Sequence, residues 1–128
     1  MSSFINKTTY YRETDLVDMA STPLKFLRQL SGLCVFDIQG HDTHRTRVLT
    51  TLIHGNEPSG FIALHRWLKK KVKPAVNMRF IVCNIESAQL SPEFSHRYLH
   101  SGQDLNRYFA QTEKKSDIIE RAQQIKQA

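Results

Sequence analysis

The sequence predicts an α/β fold, a mainly parallel or mixed sheet flanked by helices, and three observations carry that expectation. Residues 47–84 read strand–helix–strand: RVLTTLI (47–53) is rich in β-branched residues, Phe61, Leu64, Leu68 and Val72 recur at helical spacing, and NMRFIVCN (77–84) is apolar again. A strand–helix–strand unit favours parallel pairing with helices packed on the sheet. Upstream, LCVFDIQG (33–40) adds a third short strand; downstream, Ile118, Ile119, Ala122 and Ile125 mark an amphipathic helix. At 128 residues with 40% apolar content, the chain is long enough for one domain with a buried core.

Taken in order, Leu16, Met19, Leu24, Leu27 and Leu30 suggest helix across 15–30. Ser21-Thr22-Pro23 breaks it in two, with Ser21 or Thr22 capping the second piece. The strand at 33–40 follows, and GHDTHRT (40–46) reads as polar turn. The run 47–53 is apolar enough for an interior strand. It stops at His54-Gly55-Asn56-Glu57-Pro58, where Pro58 suits a first helical turn; Trp67 flanks the helix stripe and Pro74 closes it. Residues 85–110 are a long polar connection, a kind of segment that is often functional. The last helix runs to Ala128 with no stop signal, and three strands are few for a sheet covered on both faces. Both features give the expectation of a truncated domain, whose bare sheet edge and apolar face favour self-association.

The formal charge of +6 leaves basic partners unattractive and anionic ones favoured. Lys69, Lys70, Lys71 and Lys73 cluster at a predicted helix end, where cations suit the helix dipole. No interleaving of basic and aromatic residues accompanies them, so nucleic acid is not an expected partner. No stretch reaches the roughly 20 apolar residues of a membrane span. MSSFINKTTYYRETD has no apolar centre, so no secretory signal is expected and the cytoplasm is the expected compartment. Cys34 and Cys83 sit in apolar runs and read as small buried hydrophobes without a disulfide framework.

Two constellations could carry chemistry. His54-x-x-Glu57 follows a strand directly, and ligands of open α/β sheets gather beyond the carboxyl ends of strands. An imidazole and a carboxylate three residues apart can converge on zinc, which takes nitrogen and oxygen ligands. Alone, the pair reads equally well as a surface turn with a helix-capping glutamate. The second constellation is RYLHSGQDLNR (97–107), where Arg97, Asn106 and Arg107 could bind carboxylates through planar guanidinium forks and an amide. Asp104 could hold Arg107 or cap the following turn, and a polar loop with surface ion pairs would look the same.

HGNEPSG, then a strand ending in Asn84, then RYLH and DLNRYF, in that order over roughly residues 47–110, resembles the succinylglutamate desuccinylase/aspartoacylase family. That family belongs to the zinc carboxypeptidase-like hydrolases, so the resemblance implies a zinc-exopeptidase-like fold. It implies that His54 and Glu57 are the first two zinc ligands. Arg97 would polarise the scissile carbonyl, and Asn106 with Arg107 would bind the substrate carboxylate. The implied reaction is zinc-dependent hydrolysis of the amide bond of a small anionic N-acyl amino acid. The family's third ligand, a histidine, and its catalytic glutamate lie further along and find no match here. Residues 1–128 are therefore expected to be the N-terminal part of the catalytic domain. His96 and His100, beside Arg97, are the local histidines nearest the expected pocket; His65 reads as packed or solvent-facing. Glu86 and Glu93 are nearby carboxylates that nothing singles out as bases. The spacing of His54 and Glu57 is shared with peptidases, whereas RYLH…DLNR favours the deacylase branch and leaves the acyl group and amino acid open. The alternative from a different class is a non-catalytic metal- or carboxylate-binding domain derived from such a hydrolase.

Overall fold

A computed structural model describes residues 7–16, 19–98, 104–110 and 117–128. Among these, four strands form one mixed sheet: β1 (Thr9–Arg12), β2 (Cys34–Ile38), β3 (Asp42–Thr51) and β4 (Val76–Val82), in the order β1-β2-β4-β3. β1 runs parallel to β2, β2 antiparallel to β4, and β3 parallel to β4. The helices are α1 (Pro23–Gln29), α2 (Ser59–Lys70), α3 (Ile85–Gln89) and α4 (Asp117–Gln127).

Alternation along the central strands builds two cores. Cys34, Phe36 and Ile38 of β2, with Phe80 and Val82 of β4, face Phe26 and Leu27 of α1 and Phe61, Leu64 and Leu68 of α2. Leu33, Val35, Ile81 and Cys83 face the other way, onto Leu105 and the Ala122 and Ile125 side of α4. A strand covered on both faces needs an unbroken apolar run, which is what CVF supplies in β2. Phe61, fully buried, contributes on the order of 2–3 kcal/mol by transfer from water.

Helix ends follow local chemistry. Thr22 caps α1, its hydroxyl accepting from the Lys25 amide at 3.2 Å with Pro23 in the first turn. α2 ends at Lys70, and Lys71 takes the left-handed conformation (φ 53°) with its amide on Leu68 O. Val72 therefore lies outside the helix and is exposed, a correction to the stripe read from the sequence. Lys69, Lys70, Lys71 and Lys73 are all exposed. His65 is buried, with Nε2 2.8 Å from Ala20 O and its ring against Phe26.

Three strand expectations need correcting. Residues 42–46 are not turn but the start of β3, carrying a register irregularity between Asp42 and Thr46. β3 is an edge strand rather than an interior one: β4 lies between it and β2, and Thr43 to Thr50 are exposed, Val48 at 55% and Leu49 at 50%. Apolar content alone does not separate these positions, because the order of strands is set by long-range pairing. The sheet also has a fourth strand, β1, too short and polar to stand out; Tyr11 anchors it by stacking on Phe36 at 5.0 Å.

Cys34 and Cys83 are free and fully buried. Burial pushes both thiols from 9.0 up to about 12. Their stabilising contribution is complete below pH 9 and is lost as pH rises towards 12, because the unfolded thiols ionise first. At about pH 8, a thiol reagent should leave the native chain unmodified and label both cysteines after unfolding. Rapid labelling of the native chain would contradict this burial. No described helix is long and apolar enough to cross a membrane.

Candidate active site

The parallel pairing of β3 and β4 brings their carboxyl ends side by side, tied by Cys83 N–H to Thr51 O at 2.9 Å and Asn84 N–H to Leu52 O at 2.7 Å. Ligands bind in the crevice at such strand ends. The chain leaves β3 through Leu52, a buried residue held at φ 55°. A left-handed leucine costs about 1–3 kcal/mol and persists only where packing enforces it. After Ile53 come His54, Gly55, Asn56 and Glu57, which lead into α2.

His54 is buried to 8% exposure and lies between two carboxylates. Its Nδ1 is 3.2 Å from Glu57 Oε1 and its Nε2 is 2.7 Å from Asp104 Oδ1. Glu57 is more open and accepts from Arg97 Nη1 at 3.0 Å. Arg97 donates from Nε to Tyr98 Oη at 2.9 Å, and that bond, ahead of the Glu57 and Asp104 charges, pushes its pKa up. The Tyr98 ring meets His54 edge-on at 6.0 Å. The structure thus brings the His54, Glu57 and Arg97 side chains together.

Gly55 makes this assembly sterically feasible. A β-carbon there would overlap the His96 carbonyl and lie 2.5 Å from Ser87 Oγ and 2.8 Å from Ala88 N. The glycine amide donates to Arg97 O at 3.1 Å, while Ser87 Oγ donates to His96 O at 2.6 Å. Two chain segments forty residues apart are stitched together at the one position without a side chain.

Sequence reasoning missed the partner of His54. Asp104 does close the 3-10 turn Leu105–Arg107, through its carbonyl and Arg107 N–H, but its carboxylate goes to the imidazole. The available signal was chemical: a metal-binding histidine commonly donates its second ring N–H to a carboxylate. Asn106 and Arg107 sit on that turn directly after Asp104; Arg107 is exposed, and the Asn106 side chain lies outside the described residues. His100 also lies outside them. His96 points its Nε2 at Ser91 O (3.0 Å), and His41 and His44 are at the opposite end of β3. Glu93 is paired with Arg28 at 2.6 Å, and Glu86 forms a partly buried pair with Arg121.

The donor chemistry fits one cation in part. A neutral imidazole has one N–H, so a proton on Nε2 serving Asp104 leaves the Nδ1 lone pair facing Glu57. A metal ion there would be held by His54 Nδ1 and the Glu57 carboxylate, a nitrogen and oxygen pair suited to zinc. Among the described residues, no group of three or more His, Cys, Asp or Glu side chains is arranged to hold a metal. Thr51 Oγ1 and Asn84 Nδ2, buried at the same strand ends, have no hydrogen-bond partner among the described residues.

Sheet and polar cluster together define an α/β domain with a candidate site beyond the carboxyl ends of its parallel β3 and β4. The family model for the succinylglutamate desuccinylase/aspartoacylase catalytic domain matches residues 43–128, and the chain belongs to this family of hydrolases. Comparison with curated proteins and with solved structures finds no match.

Proposed function

We propose that this chain is the N-terminal part of a zinc-dependent hydrolase catalytic domain that cleaves the amide bond of a small anionic N-acyl amino acid in the cytoplasm. The observation that carries the reading is His54 set between Glu57 and Asp104, with Arg97 on the same glutamate. Asp104 fixes the imidazole proton on Nε2 and so keeps Nδ1 available as a ligand. Zinc held by His54 and Glu57 would supply a bound water whose pKa is lowered towards about 7. Arg97, with its stem braced by Tyr98, is the group placed to stabilise an oxyanion developing next to Glu57. Asn106 and Arg107 follow Asp104 in the chain and are assigned to the substrate carboxylate.

On the natural gene product, Arg97→Ala should lower kcat for N-acyl amino acids by roughly 10²–10³-fold, the usual effect of deleting an oxyanion donor. Arg97→Lys should recover part of it. Unchanged kcat in Arg97→Ala would remove that residue from the mechanism. The net charge of +6 should also make kcat/KM for anionic substrates fall with added salt.

A second reading, a metal- or carboxylate-binding domain without turnover, is favoured by one observation. The nearby carboxylates Glu86 and Glu93 are each engaged by an arginine, so neither is poised as a base. Metal-dependent turnover by the natural product would exclude it.

Self-association through the β3 edge belongs to the same proposal. Two copies paired antiparallel about Val48 or Leu49 set no arginine opposite another. Centring on Thr46 or Arg47 opposes Arg45 to Arg47, or Arg47 to itself. Sedimentation should show dimers that Val48→Lys converts to monomers; a wild-type chain that stays monomeric at high concentration would refute this.

A further inference from the structure

Among the described residues Arg121 is the largest fully buried side chain, 2% exposed, and the proposed chemistry does not use it. It projects from α4 and binds both oxygens of Glu86, from Nη1 to Oε1 at 2.7 Å and from Nη2 to Oε2. Nη1 also donates to the Cys83 carbonyl at the carboxyl end of β4, and Nε donates to Gln124 Oε1 at 2.9 Å. A buried bidentate pair of this kind is weak evidence for stability, since apolar replacements of similar volume are often neutral or stabilising. What the pair does fix is direction: a planar fork that meets two oxygens and a carbonyl at once allows α4 one height and one rotation.

That placement reaches the site by two short routes. Cys83 and Asn84 are hydrogen-bonded to Thr51 and Leu52, and Leu52 is two residues before His54. On the other side, α4 packs on the 3-10 turn Leu105–Arg107, and Leu105, 0% exposed, shares a core cluster with Ala122 and Ile125. Leu105 is the residue after Asp104. One helix therefore joins the strand end that leads to His54 to the turn that carries its carboxylate partner. We infer that Arg121, through Glu86 and the Cys83 carbonyl, is a positioning residue that sets Asp104 against His54 Nε2. The inference rests on the proposed reading for its use in metal binding, but the contact it controls can be read without metal.

The test uses the whole chain and two readouts. Arg121→Lys keeps the charge but cannot meet Cys83 O and both Glu86 oxygens together. Arg121→Met with Glu86→Leu removes both charges and leaves no buried ion unpaired. Nitrogen-15 NMR of the imidazoles reports the His54 Nε2 proton, which in wild type should be hydrogen-bonded and slow to exchange. In each variant that folds, as judged by melting and circular dichroism, that proton should exchange at least about 10-fold faster. Zinc affinity measured by calorimetry should fall about 10- to 100-fold, the usual effect of losing a ligand's outer partner. Wild-type protection of the proton in a folded variant, Arg121→Lys included, would overturn the inference and leave Arg121 a plain structural tie. If wild type shows the protected proton but binds no zinc, the metal reading fails and the positioning inference stands on the exchange data.

Discussion

Gly55→Ala is expected to lower the melting temperature by roughly 10 °C and to disperse the His54–Glu57–Arg97 cluster. The methyl would overlap the His96 carbonyl and press on Ser87 Oγ and Ala88 N, two of which are backbone atoms that cannot rotate away. Overpacking of this kind costs about 1–3 kcal/mol, and pushing the strands of chain apart adds the loss of the Gly55–Arg97 hydrogen bond, about 1 kcal/mol. For a domain of this size each kcal/mol moves the midpoint by about 3–5 °C. Gly60→Ala is the control. Its added carbon would sit 3.6 Å from Thr51, an ordinary contact, in the first turn of α2. There alanine should be neutral or stabilise by up to about 1 kcal/mol. Equal melting of the two variants, measured by calorimetry, would contradict the close approach at Gly55.

Asp104→Asn should weaken zinc binding about 10- to 100-fold while shifting the melting point little. The side chain keeps its shape, but the carboxamide can donate to His54 Nε2 as well as accept from it. Donation would move the ring proton to Nδ1, the atom that faces Glu57 and is the proposed ligand. Titration of the folded variant with zinc checks the claim; wild-type affinity would mean that Asp104 does no more than close its turn.

The parts of this molecule that could be read from sequence were those encoded by near neighbours. The β3–α2–β4 unit announced itself by β-branched runs around a stripe at Phe61, Leu64 and Leu68, and those residues are buried as expected. Thr22 and Pro23 announced the start of α1 in the same way. The rank of β3 at the sheet edge was not legible, because it depends on β4 pairing with β2, a contact made across more than forty residues. β1 was hidden for a related reason: four residues, two of them half-buried, give no period to count.

The candidate site divides along the same line. His54 and Glu57 stand three apart and were proposed from that spacing, and Arg97 from the motif resemblance; the three side chains are in contact. Asp104 is 50 residues from His54, so only the second-ligand habit of histidine could have pointed to their contact. Nothing singled out Glu86 because its partner, Arg121, lies 35 residues on, in a helix read only for its apolar stripe. Gly55 admits the His96–Arg97 segment at close range, a contact that its own neighbours in the chain do not reveal.

Central to the account is that His54 and Glu57 form a metal half-site, and calorimetric titration of zinc into the metal-free chain, with His54→Ala alongside, tests it most directly. The account predicts saturable binding of one zinc per chain in wild type and its loss in His54→Ala. Binding of equal strength in both proteins, or none in folded wild type, would contradict it.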